Sequence, residues 1–331
     1  MSSLYRLGQV LKGSVGEYAI SKEVRDSVWF ALNRSSQEQV VIKAVSNHYR
    51  VQHERDLLRK FERKVPHLRP IIDEIHDPAE PLAIALRHLD DDLHKASKQK
   101  MLNREELKYV SKRILESLKA LHQEGFVHTD VKLDNILVNY GTNDANNRFS
   151  AVELSDLGSC SQVDSKFAKE CHSIGAPLWR SPEVLISVPW NTATDIWSFG
   201  LCLISLIYGG EWHILRPKVS HDHEDFDWLI LVNMFRWFGP IPAKYRELIG
   251  DKEDSDSDKV IQALFNTVPK DERGSFNRAS LKEIRIQDRD LILNIMKMDP
   301  RDRPTAEELL QDPWFEVIEE AGVWDTFNKD V

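Results

Sequence analysis

The sequence predicts an α+β protein of two lobes, a small β-rich one over residues 1–89 and a larger α-helical one over 90–331. Three observations predict it. Up to about residue 85, short apolar runs of strand character surround a single helical pattern. Beyond Asp90 the apolar residues recur at helical spacing. Just after that junction, the polar cluster His128-Thr129-Asp130-Val131-Lys132-Leu133-Asp134-Asn135 runs into the apolar strand Ile136-Leu137-Val138, and a second strand, Ala151 to Leu154, leads into Asp156-Leu157-Gly158. Polar groups at the ends of two short strands describe a site on a rigid support, in a cleft between lobes.

In the first lobe the clearest strand is Val40 to Val45, with others at Ser27 to Leu32, Pro70 to Ile75 and Leu82 to Leu86. The helix is expected from about Ser46 to Phe61. Its apolar stripe uses Val51, Leu58 and Phe61, and Glu54 lies on the same stripe. An inward carboxylate needs a cation, because an unpaired buried charge is costly, and Lys43 is the candidate. In the second lobe Leu107, Val110, Ile114, Leu115, Leu118 and Leu121 share one helix face, and Gly125 stops that helix. Ile196 to Tyr208 is apolar nearly all round and reads as a central buried helix, with Asp195 as its N-cap. Thr305-x-x-Glu308 is a capping box that starts a helix near the end. Asp251 to Asp258 reads as a polar loop, and His213, His221 and His223 as solvated loop histidines rather than metal ligands.

Composition narrows the class. At 331 residues and 41% hydrophobic, the chain can bury a sizeable core. No apolar run follows Met1, and the most apolar stretch falls short of the roughly 20 residues of a membrane span, so neither a secretory signal nor a membrane partner is expected. Three cysteines, Cys160, Cys171 and Cys202, lack metal-ligand spacing and fit a reducing, intracellular setting, cytoplasmic or nuclear. A net charge of −9 argues against direct nucleic-acid binding. The acid gathers at Asp90-Asp91-Asp92, His221 to Asp225 and Asp251 to Asp258, faces that attract basic partners. A monomer is expected.

The ordered set Val41-Ile42-Lys43, Glu54, His128 to Asn135 and Asp156-Leu157-Gly158 resembles the eukaryotic protein-kinase family. The resemblance covers nearly the whole chain, from about Tyr5 to Phe315. Ala176-Pro177-Leu178-Trp179-Arg180-Ser181-Pro182-Glu183 resembles the end of an activation segment. Asp195-Ile196-Trp197-Ser198-Phe199-Gly200 resembles the D-x-W-S-x-G helix, and Arg303 the arginine that pairs with the Glu183-type carboxylate. The resemblance implies a bilobal protein-kinase fold with a nucleotide-binding N-lobe, a C-lobe insert around residues 211–285, and transfer of the γ-phosphate of ATP to Ser or Thr of a protein substrate. The alternative is a pseudokinase, a binding scaffold on the same fold.

By the same resemblance, Lys43 would hold the ATP phosphates and Glu54 would hold Lys43. Asp130 would accept the substrate hydroxyl proton, Lys132 would offset charge on the transferred group, and Asn135 and Asp156 would hold Mg²⁺. Ile20, Val28, Val41 and Leu137 would sandwich adenine, Leu86 would be the gatekeeper, and the backbone of Arg87, His88 and Leu89 would bind the adenine edge, with the His88 side chain in solvent.

Four departures stand out. Thr129 replaces the usual Arg and Leu157 the usual Phe, and Ala176 replaces a Thr that contacts the catalytic Asp and Lys. Counting back from Lys43 puts Ser21, Glu23 and Asp26 at the three glycine positions of the phosphate loop; the alternative is a loop at Gly13-x-x-Gly16. Thr129 together with Trp179-Arg180-Ser181-Pro182-Glu183 resembles the SR-protein kinases and the cyclin-dependent and MAP kinase group, which implies a basic or Arg/Ser-rich protein substrate.

Overall fold

The computed structural model describes residues 4–316 except 46–48, 63, 142–145, 210, 251–254 and 281. Six strands close a barrel in the first lobe: β1 (Val10–Gly13), β2 (Glu17–Arg25), β3 (Val28–Asn33), β4 (Gln39–Ala44), β5 (Ile71–Asp77) and β6 (Ala83–Arg87), in the order β1-β2-β3-β4-β6-β5. All neighbours are antiparallel. Side chains alternate across each strand, so Leu11, Tyr18, Trp29, Ala31, Val40 and Ile42 fill the barrel interior while Val41, Ile84 and Leu86 face the other way, into the main core. The helix α1 (Tyr49–Phe61) packs beside β5 and β6 and buries Val51, Glu54, Leu57, Leu58 and Phe61. The first residues expected in it, 46–48, lie outside the described residues.

The second lobe begins with β7 (Asp91–Asp92), α2 (Leu93–Gln99) and α3 (Arg104–Gln123). A capping box at Asn103 and Glu106 starts α3, and Gly125 at φ +77° takes the chain out of it. Next come β8 (Phe126–Val127), β9 (Ile136–Tyr140), β10 (Phe149–Leu154) and β11 (Ser161–Gln162), then α4 (Lys166–Lys169), α5 (Pro182–Leu185) and α6 (Ala193–Tyr208). α6 is buried along almost its whole length. After it come α7 (Phe226–Phe238), α8 (Arg246–Ile249), α9 (Asp256–Thr267), α10 (Ile286–Ile295), which packs on α6, and α11 (Ala306–Leu309), which packs on α3 and is opened by the Thr305–Glu308 capping box.

Three expectations are corrected. Asp195 is not an N-cap: it lies inside α6, after Thr192 at the cap position, and its carboxylate reaches across to the His128 loop. The acidic stretch expected as a loop becomes helix from Asp256 onward, capped by Ser255, whose Oγ accepts the Asp258 N–H at 3.2 Å; residues 251–254 lie outside the described residues. His213 is buried, edge-on to Trp179 with ring centroids 4.8 Å apart, whereas His221 and His223 are exposed.

Candidate active site

The site is assembled from β4, α1 and the two loops that flank β9 and β10. Lys43 projects from β4 and donates to Glu54 Oε2 at 2.6 Å and to Asp156 Oδ1 at 2.9 Å. Glu54 is buried on the inward stripe of α1, so the lysine neutralises a carboxylate that could not otherwise stay there. Burial opposes the charge on both Lys43 and Asp156, but their mutual attraction prevails. Lys43 sits above its ordinary value with the help of Glu54, and Asp156 falls to about 2.

The His128–Asn135 loop is clamped at its start. Its backbone N–H groups at His128 and Thr129 donate to Asp195 Oδ2 at 2.7 Å and Oδ1 at 2.9 Å. Thr129 takes φ +69°, unusual for a β-branched residue, and its hydroxyl donates to Ser159 O at 2.8 Å. Asp130 is then surrounded: Oδ2 accepts from Lys132 Nζ at 2.8 Å and Asn135 Nδ2 at 2.9 Å, and Oδ1 accepts the Ala176 N–H at 3.3 Å. The backbone of Ala176 thus makes a contact to Asp130 that its side chain cannot. Its neighbour Gly175, at φ +66°, has to be glycine, since a Cβ there would lie 2.7 Å from Thr129 O.

Asn135 and Asp156 face one cleft. The Asn135 amide nitrogen is spent on the Asp130 carbonyl and carboxylate, which leaves its oxygen for a cation. Asp156 gives only Oδ1 to Lys43. Among the described residues no group of three or more His, Cys, Asp or Glu could hold a metal. One amide oxygen and one carboxylate fit Mg²⁺, which binds through one or two carboxylates and completes its shell with phosphate oxygens.

Val28, Val41, Leu86 and Leu137 line this cleft together with Lys43. Ile20 does not: it pairs with Ala31 and is buried in the barrel interior. Leu89 is buried, and His88 is half-buried edge-on to Phe30 at 5.1 Å rather than free in solvent. The Arg87 backbone is already engaged, its N–H with Pro70 O at 3.2 Å and its carbonyl with Arg69 Nε at 2.8 Å.

The hairpin carrying Ser21, Glu23 and Asp26 lies over Lys43, with Val28 directly opposite it in the ladder. The other candidate loop, Gly13 to Gly16, is filled from within: Asp73 accepts the N–H groups of Ser14, Val15 and Gly16 at 3.0, 2.9 and 3.1 Å and the Tyr18 hydroxyl at 3.0 Å. Its anion is the protein's own carboxylate. On the far side of Asp130 a cavity of about 900 Å³ opens between α1 and the segment from Ser159 to Arg180.

A lysine–glutamate pair, an acid held by a lysine and an asparagine, and a second acid at the cleft floor are the parts of a phosphoryl-transfer site. The protein kinase domain matches residues 12–315, and the chain belongs to that family. It is similar to the serine/threonine-protein kinase PAK 5 of Rattus norvegicus (37% identical over 119 residues, 36% of this chain and 16% of that protein) and to PAK 4 of Homo sapiens (34% identical, 36% and 19%). It therefore spans less than a fifth of these relatives' length. The crystal structure of the yeast RNA Pol II CTD kinase CTDK-1 complex shares the fold at 18% identity and a TM-score of 0.74, covering 96% of this chain and 98% of that one.

Sequence reasoning missed Asp73 and Arg69 and misplaced Asp195. Asp195 carried a signal, an acid at the head of an apolar helix, but it was assigned to the wrong partner. Arg69, in the loop before β5, carried none.

Proposed function

We propose that the chain transfers the γ-phosphoryl group of Mg-ATP to Ser or Thr hydroxyls of protein substrates. The observation that carries this is the surround of Asp130, with Lys132, Asn135 and the Ala176 N–H all on its carboxylate. Asp130 orients the hydroxyl and accepts its proton. Lys132, already on Asp130 Oδ2, lies where it offsets charge on the group in transit. Lys43 is held by Glu54 for the nucleotide phosphates. Asn135 and Asp156 would hold Mg²⁺, which would supply further charge neutralisation. Serine and threonine are favoured as acceptors because Lys132 follows Asp130 by two residues, as in Ser/Thr kinases, and because the relatives named above are Ser/Thr kinases.

Basic substrates are proposed from the acidic segment His221 to Asp227. Asp227 pairs with Arg180 at 2.9 Å, and Arg180 Nε also reaches Gly175 O at 3.3 Å, so this acid lies close to the segment facing Asp130. The side chains of Asp222, Glu224 and Asp225 are exposed there. Phosphate incorporation from Mg-ATP into an Arg/Ser-rich peptide, an acidic Ser peptide and a generic basic protein tests the reading. Incorporation that favours the basic substrates supports it. Equal or preferential use of the acidic peptide removes the substrate part, and no incorporation into any removes the activity.

A second reading, a scaffold that binds partners without turnover, is favoured by one observation: no glycine stands at the positions expected to cradle phosphate, where Ser21, Glu23 and Asp26 are exposed on the hairpin. A thermal shift with Mg-ATP but no turnover supports that reading.

A further inference from the structure

The cleft is narrow. The space lined by Val28, Val41, Leu86, Leu137 and Arg69 together with Lys43, Asn135 and Asp156 is about 70 Å³, against the roughly 300 Å³ at the lower end for small-molecule sites. Arg69 is one of its walls. Its backbone N–H is anchored on Leu154 O at 2.8 Å, and its Nε donates to the Arg87 carbonyl at 2.8 Å. That carbonyl is one of the hinge groups that would meet a base edge. The contact is donor to acceptor, so an adenine amino group and Arg69 compete for the same oxygen.

A second feature lies beside it. Glu153 on β10 gives Oε1 to Arg87 Nη1 at 2.5 Å, while its Oε2 is buried with no hydrogen-bond partner among the described residues. A buried carboxylate oxygen without a partner is costly. Arg69 and Glu153 already feel each other's charge, and burial shifts both towards their neutral forms, Arg69 to about 10 and Glu153 upward.

We infer that Arg69 is the residue that sets access to the base site, by two alternative seats: Nε on the Arg87 carbonyl, which narrows the cleft, or the guanidinium on Glu153 Oε2, which opens it. An entering purine displaces Arg69 from the first seat, and the unpartnered oxygen receives it in the second. The competent fraction of the protein then scales the apparent affinity for any purine. This rests on the nucleotide-binding reading of the cleft and deepens it.

Adenosine, which probes the base end without phosphate or metal, is the appropriate ligand. Binding is measured by calorimetry on the full chain for wild type, Arg69→Val and Arg69→Met, with melting temperature as a check on folding. Both variants keep the Leu154 backbone contact, and Met also keeps the stem, so at least one is expected to fold. The expected result is adenosine binding tighter by about tenfold in either variant, with Glu153→Gln weakening it in the Arg69 background because the second seat loses its charge. Variants that bind adenosine no more tightly than wild type, including the case in which none binds, overturn the inference. Because binding is read rather than turnover, tightened binding in a protein that transfers no phosphate defeats the kinase reading and leaves the Arg69 assignment standing.

Discussion

Asp195 Oδ1 accepts the backbone N–H of Thr129 at 2.9 Å and ties the buried helix α6 to the loop that carries Asp130. The same carboxylate takes the His128 N–H on Oδ2 at 2.7 Å, where His122 Nε2 also lies at 2.9 Å. One side chain, 1% exposed, therefore satisfies two backbone donors that would otherwise be buried and unpaired. Asp195→Ala is expected to lose about 2–4 kcal/mol of stability in denaturant unfolding, roughly one unsatisfied donor's cost for each N–H. It should also release Thr129 from its positive φ and shift Asp130. A variant with wild-type stability would show that the loop holds itself.

Lys43→Met leaves Glu54 and Asp156 without their cation. Expected are a folded protein of lower melting temperature and phosphate transfer reduced at least about 10²-fold. Asp156, at about 2 in the native protein, is depressed below its unfolded value, so its pairing contributes stability that is complete above about pH 4 and is lost as pH falls through about 2. The variant should lack that component, visible as a shallower loss of stability below pH 4. Global unfolding of Lys43→Met at neutral pH would contradict the assigned role.

How far these parts were legible in the chain depended on the range of the interaction. Glu54 could be read because a helical stripe with one acid in it requires a cation, and Lys43 was the cation on the neighbouring strand. The capping box at Thr305 is local and was read correctly. Asp195 was misread because an acid before an apolar run looks the same whether it caps its own helix or reaches a loop distant in sequence. Ile20 was placed at the cleft by its likeness to the family pattern, whereas the ladder, with two register shifts between it and Val28, pairs it with Ala31 on the inner face of the barrel. Arg69 sits in a connecting loop, and nothing local tells which carbonyl it will meet.

His213 is held neutral. Burial pushes its imidazole down to about 3, with Arg216 adding to the effect, while Nδ1 accepts the Leu215 N–H at 3.3 Å. Since the unfolded chain protonates this group near 6.5 and the native protein does not, the unfolded state binds the extra proton and stability falls as pH drops below about 6.5. His213→Phe keeps the edge contact with Trp179 and removes the titration. Its melting temperature should decline less than wild type between about pH 6.5 and 5. An identical decline would place the pH dependence elsewhere.

Asp73 is a fully buried anion inside the Gly13–Gly16 loop. Asp73→Ala should cost about 2–4 kcal/mol, because several donors lose their acceptor at once. Hydrogen exchange at the Ser14, Val15 and Gly16 amides should accelerate by more than that at neighbouring β2 positions. Unchanged exchange at those three amides would mean that strand pairing alone orders the loop.

The central claim is that Asp130, positioned by Lys132, Asn135 and Asp195, promotes phosphoryl transfer in this chain. Its most direct test is the rate of phosphate transfer from Mg-ATP to an Arg/Ser-rich peptide by wild type and by Asp130→Asn, at matched folding. The expected result is measurable transfer by wild type and a rate lower by about 10²–10⁴ in the variant. Equal rates, or none from either protein, would contradict the claim.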